Sequence, residues 1–153
     1  MAHYSGDVYY DAPVGNKGQA ISIYGNYTHY DFGQNYIRNS APLNPATSGS
    51  TLNGGGNGFP AYGTGDVLYT QIGYKFKDNL IGKTTLMPYA STQVANYDRL
   101  NQAMNYYDIG INWLLAGHTS KFTVGYQNRP VFSTTGDLMT HKSAVVAQYQ
   151  VSF

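Results

Sequence analysis

The sequence predicts an all-β protein, and three observations carry that expectation. Only 11% of the 153 residues are charged, against roughly 25% in an ordinary soluble domain. All eight acidic residues are Asp, and without Glu and with few Lys the usual surface of a helix is missing. Sixteen Tyr and 18 Gly supply residues favoured in strands and turns respectively. Most segments also alternate apolar and polar side chains with period two.

Seven segments read as strands. Residues 6–12 set Val8, Tyr10 and Ala12 against Asp7, Tyr9 and Asp11. Residues 19–31 are readable in either phase, with Ile21, Ile23 and Tyr27 favouring one face. Leu68, Thr70, Ile72, Tyr74 and Phe76 oppose Tyr69, Gln71, Gly73 and Lys75. Residues 84–98 alternate weakly and hold Pro88, which predicts an edge strand or a bulge because proline removes a ladder donor. Tyr107, Ile109, Ile111, Trp113 and Leu115 oppose Asp108, Gly110 and Asn112. Phe122, Val124 and Tyr126 oppose Lys121, Thr123, Gly125, Gln127 and Arg129. The last segment sets Val145, Ala147, Tyr149, Val151 and Phe153 against Val146, Gln148, Gln150 and Ser152.

Several function classes fall away. A net charge of +1 gives no strong pull on nucleic acid. The lack of Cys excludes a disulfide framework and thiolate-ligated metal. The longest apolar run, Trp113-Leu114-Leu115-Ala116, is far short of the ~20 residues of a membrane helix. No signal peptide opens the chain, so the numbering is expected to start on a mature chain or a fragment.

The connections alternate in length. Residues 13–18, 77–83 and 116–120 are short, whereas 32–65 form a long loop rich in Gly, Pro and Asn, and 99–105 and 133–141 are intermediate. Short turns at one end and long loops at the other are the habit of antiparallel transmembrane β-barrels. Aromatics near the strand ends (Phe76, Trp113, Phe122, Phe132, Phe153) suit the two interfacial girdles of such a barrel. The polar faces, made of Gly, Asn, Gln, Ser and Thr, suit a hydrated lumen. A soluble sandwich shows the same alternation with its apolar face inward.

The ending Val145, Ala147, Tyr149, Val151, Phe153 resembles the C-terminal signal of bacterial outer-membrane barrels, which implies recognition by the barrel-assembly machinery. A wider resemblance rests on Asp7-Val8-Tyr9-Tyr10-Asp11-Ala12-Pro13, on Tyr30-Asp31-Phe32-Gly33-Gln34-Asn35-Tyr36-Ile37-Arg38-Asn39 and on Met87-Pro88-Tyr89-Ala90. It extends to Ala116-Gly117-His118-Thr119-Ser120-Lys121-Phe122-Thr123 and Tyr126-Gln127-Asn128-Arg129-Pro130. These stretches are similar to porins of the Bacteroidota, of the phosphate-selective O and P type. The resemblance implies that residues 1–153 are the C-terminal portion of one large barrel domain, of about sixteen strands, placed in outer-membrane lipid and assembling as a homotrimer. Parity agrees: bacterial single-chain barrels have an even strand number, and seven are counted here. An N-terminal portion, or further copies of the chain, is therefore expected to complete the barrel.

Candidate motifs for other chemistry are weak. Gly82-Lys83-Thr84 has Lys77 where a phosphate-binding loop needs Gly, so it reads as a turn. Gly54-Gly55-Gly56-Asn57-Gly58 reads as flexible loop. His3, His29, His118 and His141 form no ligand spacing. Ser133 and His141 are near enough in sequence to meet across a hairpin but lack a third partner. No enzyme activity, metal or cofactor is expected. The expected function is passive diffusion of small polar solutes or ions. Expected pore-lining residues are Tyr69, Gln71, Lys75, Asp108, Asn112, Lys121, Gln127, Arg129, Gln148 and Gln150. Three positive charges (Lys75, Lys121, Arg129) and three negative (Asp7, Asp11, Asp108) make no ring of one sign, so phosphate is not implied as the solute. Two alternatives stand beside this reading. One is a small barrel or adhesin that binds glycans or partners through Tyr36, Phe59 and Tyr62; the other is a soluble Tyr-rich β-sandwich lectin. Loops above ~15 residues are usually functional or disordered, so 32–65 is expected either to enter a pore or to cap its outside.

Overall fold

Alternation with period two lets a strand present a different chemistry to each side of a sheet. In the computed structural model every segment with that pattern is a strand. The structure describes residues 2–40, 59–117 and 119–152. Among them are nine strands and no helix: β1 Tyr4–Pro13, β2 Ala20–Tyr30, β3 Ile37–Ser40, β4 Phe59–Gly63, β5 Gly65–Lys75, β6 Thr85–Tyr97, β7 Met104–Ala116, β8 Ser120–Phe132 and β9 Leu138–Val151. Seven form one antiparallel sheet in the order β1-β2-β5-β6-β7-β8-β9, and β3 and β4 pair separately. The turns 14–19 and 76–84 and residues 117 and 119 lie at one end of this sheet, and residues 31–36, 98–103 and 133–137 lie at the other. We call these the turn end and the loop end.

The seven predicted strands are the seven of the main sheet. The prediction missed β3 and β4, which lie within the long segment 32–65. They are too short to display a period, and their apolar residues find a partner only in tertiary packing. Gly54 to Gly58, His118 and Phe153 lie outside the described residues. β9 begins at Leu138, seven residues before its apolar alternation does, because the end of β8 needs a backbone partner: Asn128 to Phe132 pair with Ser143 to Leu138. Pro88 is not on an edge. It sits in β6 between β5 and β7, opposite Ile111. Pairing with β5 stops at Gly73–Tyr89, beside the proline. It is picked up again where the Phe76 N–H donates to the Leu86 carbonyl at 2.9 Å, so the missing donor interrupts the ladder on one side only.

The β3–β4 hairpin folds back onto one face of the sheet at the loop end. Ile37 and Phe59 join Val67, Ala95, Tyr97, Met104, Tyr106 and Phe132 in a buried cluster. Phe59 stacks on Tyr106 with ring centroids 4.4 Å apart and planes 6° apart. The Tyr97 hydroxyl donates to the Ala61 carbonyl at 2.7 Å. Thr64 secures the other side: its hydroxyl accepts from the Phe32 N–H (3.1 Å) and donates to the Gly33 carbonyl (2.6 Å). Gly65 then turns the chain into β5 at φ 140°. A Cβ there would lie 2.0 Å from the Asn96 carbonyl oxygen, so only glycine fits.

β1 and β9 are the sheet's two edges, with no partner on their outer sides among the described residues. Both run from the loop end to the turn end, because each is separated from the other by five antiparallel neighbours.

The hairpin's attachment should depend on its one stacked anchor. Phe59→Ala is expected to cost roughly 3–5 kcal/mol, the usual loss for a buried phenylalanine, read by denaturant unfolding. Amide exchange should rise in β3 and β4 and leave the centre of the main sheet protected.

Candidate functional site

Register and alternation together sort the side chains of the main sheet. Tyr10, Ile23, Ile72, Ala90, Ile109, Tyr126 and Val145 lie in one continuous cross-strand row. The adjacent rows on that face hold Ala12, Ile21, Tyr74, Ile111, Val124 and Ala147 on one side, and Val8, Thr70, Thr92 and Tyr107 on the other. Beyond these rows stand further aromatic residues, Phe76, Trp113, Phe122 and Tyr149 toward the turn end and Tyr4 and Tyr27 toward the loop end. The Trp113 indole N–H donates to the Thr84 hydroxyl at 2.8 Å. At the loop end Asp66 accepts from the Tyr27 hydroxyl (2.6 Å) and bonds His29 Nδ1 (2.9 Å), and Tyr4 stacks on His29.

This apolar face is the exposed one. Ile109 is 55% exposed and Ile111 41%, while their neighbours Asp108, Gly110 and Asn112 are half-buried. Eight charged residues lie in the main sheet. Asp7, Asp11, Lys75, Asp108, Lys121, Arg129 and Lys142 project from the opposite, polar face; Asp66 alone is on the apolar face, at its loop-end margin.

The polar face is the candidate site. All ten expected pore-lining residues, Tyr69, Gln71, Lys75, Asp108, Asn112, Lys121, Gln127, Arg129, Gln148 and Gln150, share it by register. Asp108 is its hub. One carboxylate oxygen, Oδ1, accepts from the Tyr89 hydroxyl at 3.2 Å. The other accepts from the Gln127 amide at 3.2 Å and the Tyr106 hydroxyl at 3.4 Å. The Arg129 guanidinium donates through Nε and Nη2 to the Gln127 side-chain oxygen. Gln127 therefore departs from the expectation that it faces water: it is 7% exposed, with both ends of its amide engaged, and acts as a support between Asp108 and Arg129. Nearer the turn end, Thr123 donates to Asn112 at 2.6 Å and Asn112 donates to the Met87 carbonyl. The Lys75 ammonium is held by Asp78 and by the Gly18 carbonyl. Lys121 pairs in register with Gln150, and Thr123 with Gln148.

The structure adds residues that sequence reasoning missed. Tyr89, Ser91 and Gln93 face the same side, in β6, where Pro88 obscured the phase. Tyr89 lies across two glycines. A Cβ on Gly110 would come within 2.8 Å of its ring, and one on Gly125 within 2.9 Å of its hydroxyl. The glycines on the polar face thus make room for a tyrosine laid flat on the sheet. The signal in the sequence was their repetition at polar-face positions, which by itself looks like weak strand propensity.

Other expectations separate. Ser133 bonds Thr135 and the Asp137 N–H, and His141 stands opposite Pro130, so these two do not meet. Among the described residues no three His or Asp side chains gather as a metal site would need. Val145, Tyr149 and Val151 lie on the apolar face of the edge strand β9. In comparisons with known proteins, no family, no curated protein and no solved structure matches the chain.

At the loop end the segments 98–103 and 133–137 are tied together. Asn101 donates to Asp137 at 2.7 Å, Thr135 donates to it at 2.8 Å, and Arg99 donates to the carbonyls of Thr134 and Thr135. The bonds from Asn101 and then Thr135 hold the Asp137 carboxyl below its ordinary pKa of 3.8. They favour the charged form, so the tie is complete above pH 3.8 and is lost as pH falls through the lowered value. NMR titration of Asp137 should give a midpoint below 3.8, and Asn101→Ala should move that midpoint upward.

Proposed function

We propose that this chain forms part of the wall of an outer-membrane porin that passes small polar solutes by passive diffusion. One observation carries the reading: in the central strands β5, β7 and β8 the apolar side chains are the more exposed ones and the polar side chains the more sheltered ones, and seven of the eight sheet charges project from the polar face. In water that arrangement leaves a large apolar area unburied, at roughly 25 cal/mol for each Å². Against hydrocarbon the same face is solvated by lipid tails, and the aromatic residues at its two margins fall at the two interfaces. The main-sheet strands have 10 to 14 residues, enough to cross the membrane at the usual tilt, for which ~9–11 residues suffice.

The polar face supplies the conduction path. A solute stripped of water in an apolar slab ~25 Å tall loses its hydrogen bonds; a hydrated wall of Gln, Asn, Tyr and paired charges replaces them. No bond is made or broken. The β3–β4 hairpin lies on this same face, so it narrows the path at the loop end. A soluble sandwich would need a second layer over the apolar face, and among the described residues none packs there. Adhesion through Tyr36, Phe59 and Tyr62 is weakened as an alternative because Phe59 is consumed in the core. On the porin reading the parallel sense of β1 and β9 requires an odd number of further strands between them to close an antiparallel barrel.

Purified in detergent and added to a planar bilayer, the protein is expected to open stepwise channels with ohmic conductance. Solubility without detergent together with a silent bilayer would overturn the proposal. Ile111→Arg should destabilise the folded protein in lipid by roughly 2–4 kcal/mol, the midplane cost of a lipid-facing arginine. The polar-face substitution Asn112→Arg should cost much less.

A further inference from the structure

Resting on the porin reading, we propose that the polar face carries a binding track for neutral polyhydroxylated solutes, that is, saccharides. Tyr24, Tyr69 and Tyr89 serve as stacking surfaces and Asp108, Gln71 and Gln93 as hydrogen-bonding partners. A pyranose has apolar C–H faces and a rim of hydroxyls that both donate and accept. The matching surface is a flat aromatic ring beside carboxylate and amide groups.

The three tyrosines stand on three consecutive strands, β2, β5 and β6, and all face the polar side. Each is half-buried, so part of each ring remains open. Tyr24 and Tyr69 have ring centroids 6.0 Å apart with planes tilted by 55°, so neighbouring rings present their faces side by side along the strands' lateral direction. Two of the rings are oriented by their hydroxyls. Tyr69 donates to Gln71, two residues along its own strand, at 2.7 Å. Tyr89 donates across β7 to Asp108, with Gly110 and Gly125 beneath it. One ring face therefore rests on backbone and the other points away from the sheet.

The polar partners have capacity left. An ionised carboxylate offers about four acceptor positions. Asp108 Oδ1 accepts only from Tyr89 among the described residues, which leaves a position for a solute hydroxyl. Charge argues against an ionic solute: Arg129 is directed to Gln127 and Lys75 to Asp78, and Lys121 and Lys142 lie on β8 and β9, away from the tyrosines of β2, β5 and β6. Tyr106, the next aromatic in the series, is covered by Phe59, so the track ends beneath the hairpin.

The test is block of ion current by maltotriose in a planar bilayer, paired with a titration of tyrosine fluorescence by maltotriose in detergent. Saturable block and a matching saturable fluorescence change are expected. Tyr89→Ala and Tyr69→Ala should each raise the half-saturating concentration up to about tenfold, the loss of one aromatic contact. Tyr89→Phe, which keeps the ring, should stay much closer to the parent. Open channels that maltotriose neither blocks nor binds would overturn this inference and leave the porin reading intact. So would block by inorganic phosphate at lower concentration than by the sugar. Saturable sugar binding in detergent without any channel would support the site and overturn the porin reading. Full affinity in all three variants would overturn the assignment of the tyrosines.

Discussion

The register of the seven-stranded sheet is the constraint from which the remaining features follow. With a side-chain period of two, slipping any strand by one residue would carry its charges to the apolar face and its isoleucines to the polar one. Ladders of ten or eleven consecutive pairs between β1 and β2, β2 and β5, and β6 and β7 hold that register against slippage. The segregation of charge is therefore a property of the assembled sheet as well as of each strand. Lys75, Asp108 and Arg129 come from three strands separated in sequence, yet they share a face because the pairings between them keep phase.

The two faces are built by different physics. On the apolar face side chains stand in rows and meet little else, so their contribution depends on the medium that covers them. On the polar face the side chains engage one another. Asp108 is approached by two tyrosine hydroxyls and an amide, Gln127 is buried between Asp108 and Arg129, and Tyr89 lies in the space left by two glycines. Such a network holds each member to one geometry, since an unmade bond there carries the full cost of desolvation. On the porin reading proposed above, this rigidity is what a wall presenting fixed hydrogen-bonding groups to a solute requires.

The hairpin within residues 32–65 joins the two themes. Its apolar residues pack on the polar side of the sheet, where Val67, Ala95, Met104 and Tyr106 sit at the loop end and join Ile37 and Phe59 in one buried cluster. The polar face therefore grades from a dry, roofed end to an open, hydrogen-bonding centre. The edge strands β1 and β9 leave rows of backbone donors and acceptors unpaired among the described residues, which native sheets normally cover or continue.

The sequence by itself determined the all-β class, the seven main strands, the side to which nearly every strand residue points, and the alternation of short and long connections. All of these follow from local composition and a period of two, which need no knowledge of the neighbours. The β3–β4 hairpin was not legible, because two short strands bury Ile37 and Phe59 only by meeting β5 to β8. Pro88 misled for a related reason: its missing donor matters on one side of one strand, and only the pairing partners reveal which side. Tertiary structure alone decided that Gln127 supports Asp108 instead of facing water, and that Gly110 and Gly125 accommodate Tyr89. Both depend on which side chains arrive from adjacent strands, and a contact between residues 19 to 36 positions apart has no periodic trace in the chain that makes it.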